Sequence, residues 1–123
     1  MESFPKFPID NVIFESHHFF VVLDGYPVSP GHCLIITKDS AKKDFFQLTI
    51  DERNDLMNVI DITRFKIEKK FPRPDGYNIG MNCGEAAGQS VMQFHCHVIP
   101  RYTGDMENPK GGVRYCIPEK GYY

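Results

Sequence analysis

The 123-residue chain has no apolar run of membrane-spanning length, no Cys-x-x-Cys pair, no Gly-Lys-Ser or Gly-Lys-Thr and no excess of basic charge. Each absence removes a class. A membrane helix needs about 20 consecutive apolar residues, and the stretch Met1 to Asn11 lacks the basic and apolar regions of a secretory leader. The four cysteines, Cys33, Cys83, Cys96 and Cys116, lie far apart. They read as reduced, mostly buried thiols of a cytoplasmic protein rather than a disulfide framework. A net charge of −2 leaves no electrostatic footprint for a nucleic-acid polymer. No linker or repeat interrupts the sequence, so residues 1–123 are read as one domain, large enough to bury about two-thirds of its unfolded surface.

The elements that are present follow an α+β order. Val12 to Phe14, Phe19 to Leu23 and Cys33 to Thr37 read as strands, the first two joined by a turn at Glu15 to His18. Adjacent His17 and His18 point to opposite faces of an extended chain and are taken as turn residues rather than ligands. Asp39-Ser40 suggests a cap for a short helix over Ala41 to Phe46. Thr49 and Glu52 have the spacing of a capping box, opening a long helix to about Glu68 to Lys70. Leu56, Val59, Ile60, Thr63 and Ile67 recur on one side of it, the face expected to cover a sheet. The run Phe71 to Gly76 ends the helix, and Tyr77 to Asn82 and Phe94 to Arg101 supply the last two strands. A hairpin and no regular βαβ repeat favour a sheet of about five antiparallel strands with one long and one short helix.

His95 and His97 alternate inside the last strand, so both imidazoles face one side while Phe94, Cys96 and Val98 face the other. Imidazole is a nucleophile in its neutral form and titrates near pH 6.5, so two of them on a rigid element suggest chemistry. Packed strand residues or an incidental metal pair are the alternatives. The preceding run, Cys83 to Ser90, is small and flexible, and ends in an amide and a hydroxyl. Its backbone N–H groups, with Gln89 and Ser90, could cradle an anion. A second turn, Pro27 to Gly31, feeds His32 into another apolar strand.

With Ser29-Pro30-Gly31-His32, Gly80-Met81-Asn82, Gly88-Gln89-Ser90-Val91, His95-x-His97 and Ile99-Pro100-Arg101 in this order, the chain resembles the histidine triad family of nucleotide hydrolases and transferases. The tail from Gly104 to Arg114 looks like that of a bacterial-type branch. One position departs from the His-x-His-x-His pattern: the first histidine is replaced by Gln93. The resemblance implies that His95 attacks the α-phosphorus of a nucleoside phosphate derivative, giving a nucleotidyl-histidine that water then hydrolyses. His97 would bond the phosphoryl oxygens. Gln89 and Ser90 match phosphate and leaving-oxygen positions, Asp24 and Asn82 polar positions at the ribose and near the phosphate, and His32 a supporting histidine. Gln93 shares the histidine face and can orient its neighbours, although it cannot carry a charge.

Phe14 and Leu23 are candidates for an apolar base slot, with core packing the alternative for Phe14. Lys110 to Arg114 is read as a solvated loop, or as a segment reaching a polyphosphate leaving group. Ile62 and Phe65 lie on the outer side of the long helix. The resemblance implies a homodimer built around that helix and a central strand, so that two sheets join. Some members hold zinc through an N-terminal cysteine pair, which this chain lacks. No resident metal or cofactor is expected; a divalent cation would travel with a polyphosphate substrate. Three functions compete: hydrolysis of dinucleoside polyphosphates, nucleoside phosphoramidates or related adenylates; nucleotide sensing without turnover, allowed by Gln93; and metal-assisted hydrolysis with His32, His95 and His97 as ligands.

Overall fold

Short apolar runs at β2 and β3, and the alternating run of β5, build a single antiparallel sheet in the computed structural model, which describes residues 11–123. The reading that the chain opens without a secretory leader therefore falls almost wholly outside the described residues. Strands β1 (Val12–Glu15), β2 (Phe19–Leu23), β3 (Cys33–Thr37), β4 (Gly76–Gly80) and β5 (His95–Arg101) lie in the order β1-β2-β3-β5-β4. Strand β5 is thus an interior strand, between the central β3 and the edge strand β4. The long helix α1 (Ile50–Lys70) connects β3 to β4 and covers one face of the sheet.

Both ends of α1 are written in the sequence. Thr49 accepts from the Glu52 N–H at 3.1 Å, and the Glu52 carboxylate accepts from the Thr49 N–H at 2.7 Å, closing the capping box. Leu56, Val59 and Ile67 are buried on the inner face, with Thr63 among them. At about 2 kcal/mol for each buried aliphatic side chain, these contacts outweigh the helix's intrinsic propensity and clamp it to the sheet. Phe19, Val21, Ile35, Cys96 and Val98 meet it from the strands.

The expected helix over residues 41–46 is absent. Asp39 instead accepts from the Ala41 N–H in a tight turn, and Asp44 caps a single 3-10 turn at Phe45–Gln47. Two local Asp caps compete along this stretch, and the later one is continued. The tail also differs from a plain solvated loop. Residues Gly112–Cys116 form a 3-10 turn and Pro118–Gly121 a short helix, α2. Both Lys110 and Arg114 stack on Tyr123, at 4.9 and 4.8 Å from the ring centre. Among the described residues, no helix is long and apolar enough to cross a membrane.

Candidate active site

The face of the sheet opposite α1 is set by register. Val22 pairs with Leu34, which pairs with His97, which pairs with Gly80; Phe20 pairs with Ile36, which pairs with His95. Paired residues share a face, so the two histidines stand beside an apolar patch of Val22, Leu34 and Ile36, with Val12 packed against it. Asp24 and His32 occupy the next row, where the Asp24 N–H donates to the His32 carbonyl.

The turn that delivers His32 depends on Gly31. Its φ is +89°, and a Cβ there would lie 3.2 Å from both Ile67 and Pro100 side-chain carbons. Ser29 Oγ donates to the Pro100 carbonyl at 2.6 Å and ties the turn to β5. His32 is therefore buried against β5 rather than left on a mobile loop.

A directional hydrogen-bond chain follows. The Val28 N–H donates to His32 Nδ1 at 3.1 Å, so the neutral His32 ring carries its proton on Nε2. That Nε2–H donates to His97 Nδ1 at 2.9 Å, with Asp24 Oδ2 as a second, longer acceptor at 3.4 Å. With Nδ1 occupied as an acceptor, His97 keeps its own proton on Nε2. Burial is the main cause that drives the His97 pKa down to about 4, helped by His95 and His32 and opposed by Asp24. Burial also lowers that of His32, against the pull of Asp24. His97 is thus a neutral donor at neutral pH.

His95 has the opposite tautomer. Its Nδ1 lies 2.9 Å from the Gln93 carbonyl oxygen, which can only accept, so the neutral ring bears its proton on Nδ1 and a lone pair on Nε2. The ring centres of His95 and His97 are 5.4 Å apart. A nucleophilic nitrogen and an N–H donor stand side by side. Gln93 is buried, and its Nε2 donates to the Thr37 carbonyl at 2.9 Å, tying the start of β5 to the end of β3.

Three expectations change. Gln89 does not offer its amide to the cleft: Nε2 donates to the Lys43 and Val91 carbonyls at 2.6 and 3.1 Å, and Oε1 accepts from the Gly84 N–H at 2.8 Å. Only 4% of its surface is exposed. The Ala87, Gly88 and Gln89 N–H groups are likewise spent on the Gly84 and Glu85 carbonyls within the loop, so they do not form a backbone cradle. Ser90 and Asn82 remain exposed at the rim. Phe14 and Leu23 pack on the α1 side of the sheet. The apolar residues on the histidine side are instead Val12, Val22, Leu34 and Ile36.

The ligand set weighed above for the metal-assisted alternative is not the one the fold brings together. Donor atoms of Asp24, His32 and His97 lie within 4.8 Å of one another, and His95 is not among them. Since Nε2 of His32 holds the proton bonded to His97, this cluster is wired for hydrogen bonding. A metal there would need the Val28 contact broken. Asn82, Gly88 and His97 line one part of a cleft of about 860 Å³, and Val113, Cys116 and Ile117 of the tail line another.

Residues 8–104 match the HIT domain family. The tail compared above with a bacterial-type branch lies almost wholly beyond that match. An uncharacterized HIT-like protein of Methanocaldococcus jannaschii is 40% identical over 103 residues, covering 82% of this chain and 76% of that protein. The bis(5'-adenosyl)-triphosphatase of Saccharomyces cerevisiae is 30% identical over 100 residues, covering 80% of this chain but only 48% of the yeast protein. Among solved structures, a HIT family protein from Bacillus anthracis superposes with a TM-score of 0.71 at 37% identity, over 77% of this chain and 66% of that one. Motif order, sheet topology and these likenesses agree, and the chain belongs to the HIT domain family.

Proposed function

We propose that the protein is a nucleotide hydrolase or nucleotidyl transferase acting at the α-phosphorus of a nucleotide derivative, with His95 as nucleophile. The observation that carries this reading is the hydrogen-bond pattern of the two rings, which assigns a lone pair to His95 Nε2 and an N–H to His97 Nε2. A bond from His95 Nε2 to phosphorus forms as the bond to the leaving group breaks with its electron pair, a phosphate oxygen departing as the anion and a nitrogen departing as the amine with a proton taken from solvent. The ring's gathering positive charge faces the Gln93 carbonyl, and the phosphoryl oxygens receive the His97 N–H. Attack by water then returns the pair to Nε2, releases the nucleoside monophosphate and gives up a proton.

Ser90 and Asn82 supply neutral donors at the rim, Asp24 receives ribose hydroxyls, and the Val12, Val22 and Leu34 side of the patch takes the base. Gln89 acts one step back by holding the loop that presents Ser90. The substrates fitting this arrangement are dinucleoside polyphosphates, nucleoside phosphoramidates and similar adenylates; the name of the yeast relative supports the first. Release of AMP from diadenosine triphosphate or an adenosine phosphoramidate tests the reading. A protein that binds nucleotide without turning over either would instead be a sensor, the outcome that Gln93, already committed to Thr37, would then explain.

A cytoplasmic location fits the four free thiols. A homodimer fits the open β4 edge, where Ile79 is exposed, and the outer face of α1, where Phe65 is exposed and Ile62 half-buried. A sedimentation mass of one chain would contradict it.

A further inference from the structure

We infer that Lys43 is a specificity-determining residue that binds an anionic leaving group, so that the site favours substrates whose leaving group carries phosphate over those losing a neutral amine. The inference deepens the functional reading above and rests on its placement of the ribose at Asp24.

Two hydrogen bonds fix where residue 43 lies. The Phe94 N–H donates to the Lys42 carbonyl at 2.9 Å, and Gln89 Nε2 donates to the Lys43 carbonyl at 2.6 Å. The Lys42-Lys43 segment is therefore strapped between the residue before the candidate nucleophile and the loop ending in Ser90. Asp24 and His32 flank His97 toward the other end of β5, in the row of Ile99. A nucleotide with its ribose at Asp24 and its α-phosphorus at His95 directs further phosphates away from Asp24, toward the segment that carries Lys43.

The nearby charges leave this ammonium available. Lys42 reaches the Gln47 carbonyl and the Glu52 carboxylate, and Lys38 is paired with Glu15. Lys43 is exposed, and its ammonium has no ion pair among the described residues. Neither nearby aspartate is ion-paired with it: Asp44 turns Oδ1 to the Phe46 N–H and Asp39 turns Oδ1 to the Ala41 N–H. The backbone here is also fixed, since the Lys43 N–H donates to Gln47 Oε1 at 2.6 Å. An exposed cation on an anchored backbone beside a phosphate site forms a charge-assisted contact with little ordering of the main chain.

The test compares AMP with ADP by calorimetric titration of the full chain. It uses wild type, Lys43→Ala, Lys43→Glu and Lys43→Arg, and sets turnover of diadenosine triphosphate against an adenosine phosphoramidate. Wild type should bind ADP about tenfold tighter than AMP, as one charge-assisted hydrogen bond provides. The Ala variant should erase that preference, Glu invert it and Arg restore it, with AMP affinity unchanged. In kcat/KM, Lys43→Ala should lower diadenosine triphosphate by about tenfold and the phosphoramidate by less than about twofold. Equal losses for both ligands, or for neither, would overturn the assignment. Binding of ADP over AMP without turnover would remove the hydrolase reading and leave this one standing; binding of neither nucleotide would remove both.

Discussion

Replacing His32 with Phe isolates the part of the site that acts only through another residue. The substitution keeps a flat apolar ring in a buried position but removes the acceptor for the Val28 N–H and the donor for His97 Nδ1. Each of the two orphaned groups costs about 1 to 3 kcal/mol if no water replaces the partner, so stability should fall by about 2 to 6 kcal/mol. The effect on catalysis separates two mechanisms. If His32 only biased the tautomer of His97, a ring left free to choose would still be correct about half the time, and kcat would drop by about twofold. If it also aims the ring, the donor to the phosphoryl oxygens is lost, and a loss of about 10² in kcat follows. The short His32 to His97 contact of 2.9 Å, made from a buried ring on a turn pinned to β5, favours aiming. The prediction is therefore a loss between about 30-fold and 300-fold in kcat, with a change below about threefold in nucleotide affinity. Gln at position 32 offers an acceptor and a donor on one planar group and should recover most of the rate. Single-turnover kinetics on folded variants, with ¹⁵N resonances reporting the His97 tautomer, measure both effects. A folded His32→Phe protein with wild-type kcat would refute the reasoning.

Ser90→Ala should cost about 1.5 to 3 kcal/mol in kcat/KM with an unchanged Tm, whereas Gln89→Ala, which frees three internal hydrogen bonds, should lower Tm by on the order of 10 °C; thermal melts beside kinetics separate the two. Gln93→His should leave kcat within about tenfold and the pH optimum in place, and a gain above about a hundredfold with a new pH dependence would show that the native chain is attenuated. Acid should weaken the fold through His97: its folded pKa of about 4 lies below the unfolded value of about 6.5, so the unfolded chain binds the extra proton first and stability falls as pH drops from about 6.5 toward 4. Melts of wild type and His97→Asn over that range check this, since the Asn protein should show the shallower loss.

What was legible in the sequence was whatever is encoded locally. The Thr49–Glu52 capping box, the inner face of α1 and the alternation of His95 with His97 each follow from spacings of two to four residues, and the structure contains them. Facing relations between strands were not legible. Phe14 and Leu23 looked available for a base, but which side of β1 and β2 meets the histidines depends on the β2-β3-β5 register and on the bulge between Val12 and Phe14. The role of Gln89 was hidden for a different reason. An amide that binds phosphate and one that binds the backbone are the same letter, and only its contacts with Gly84, Lys43 and Val91 distinguish them. The tail turns carry no apolar periodicity; they are tied by the stacking of Lys110 and Arg114 on Tyr123, the Arg114 hydrogen bond to the Lys120 carbonyl and the packing of Tyr115 on Gly121. The tautomers of His95, His97 and His32 come from backbone and ring partners placed by the fold, and no motif spells them out.

The central claim is that His95 Nε2 takes the nucleotidyl group. Rapid quenching of the protein with diadenosine triphosphate, followed by mass analysis of its peptides, tests it most directly. The peptide containing His95 should gain the mass of one nucleotidyl group, a nucleoside monophosphate less one water, in a bond that is acid-labile as a phosphoramidate requires. The account also predicts no adduct on His95→Ala and a fall of at least about 10³-fold in that variant's kcat. An adduct on another residue, or turnover near the wild-type rate by His95→Ala, would contradict it.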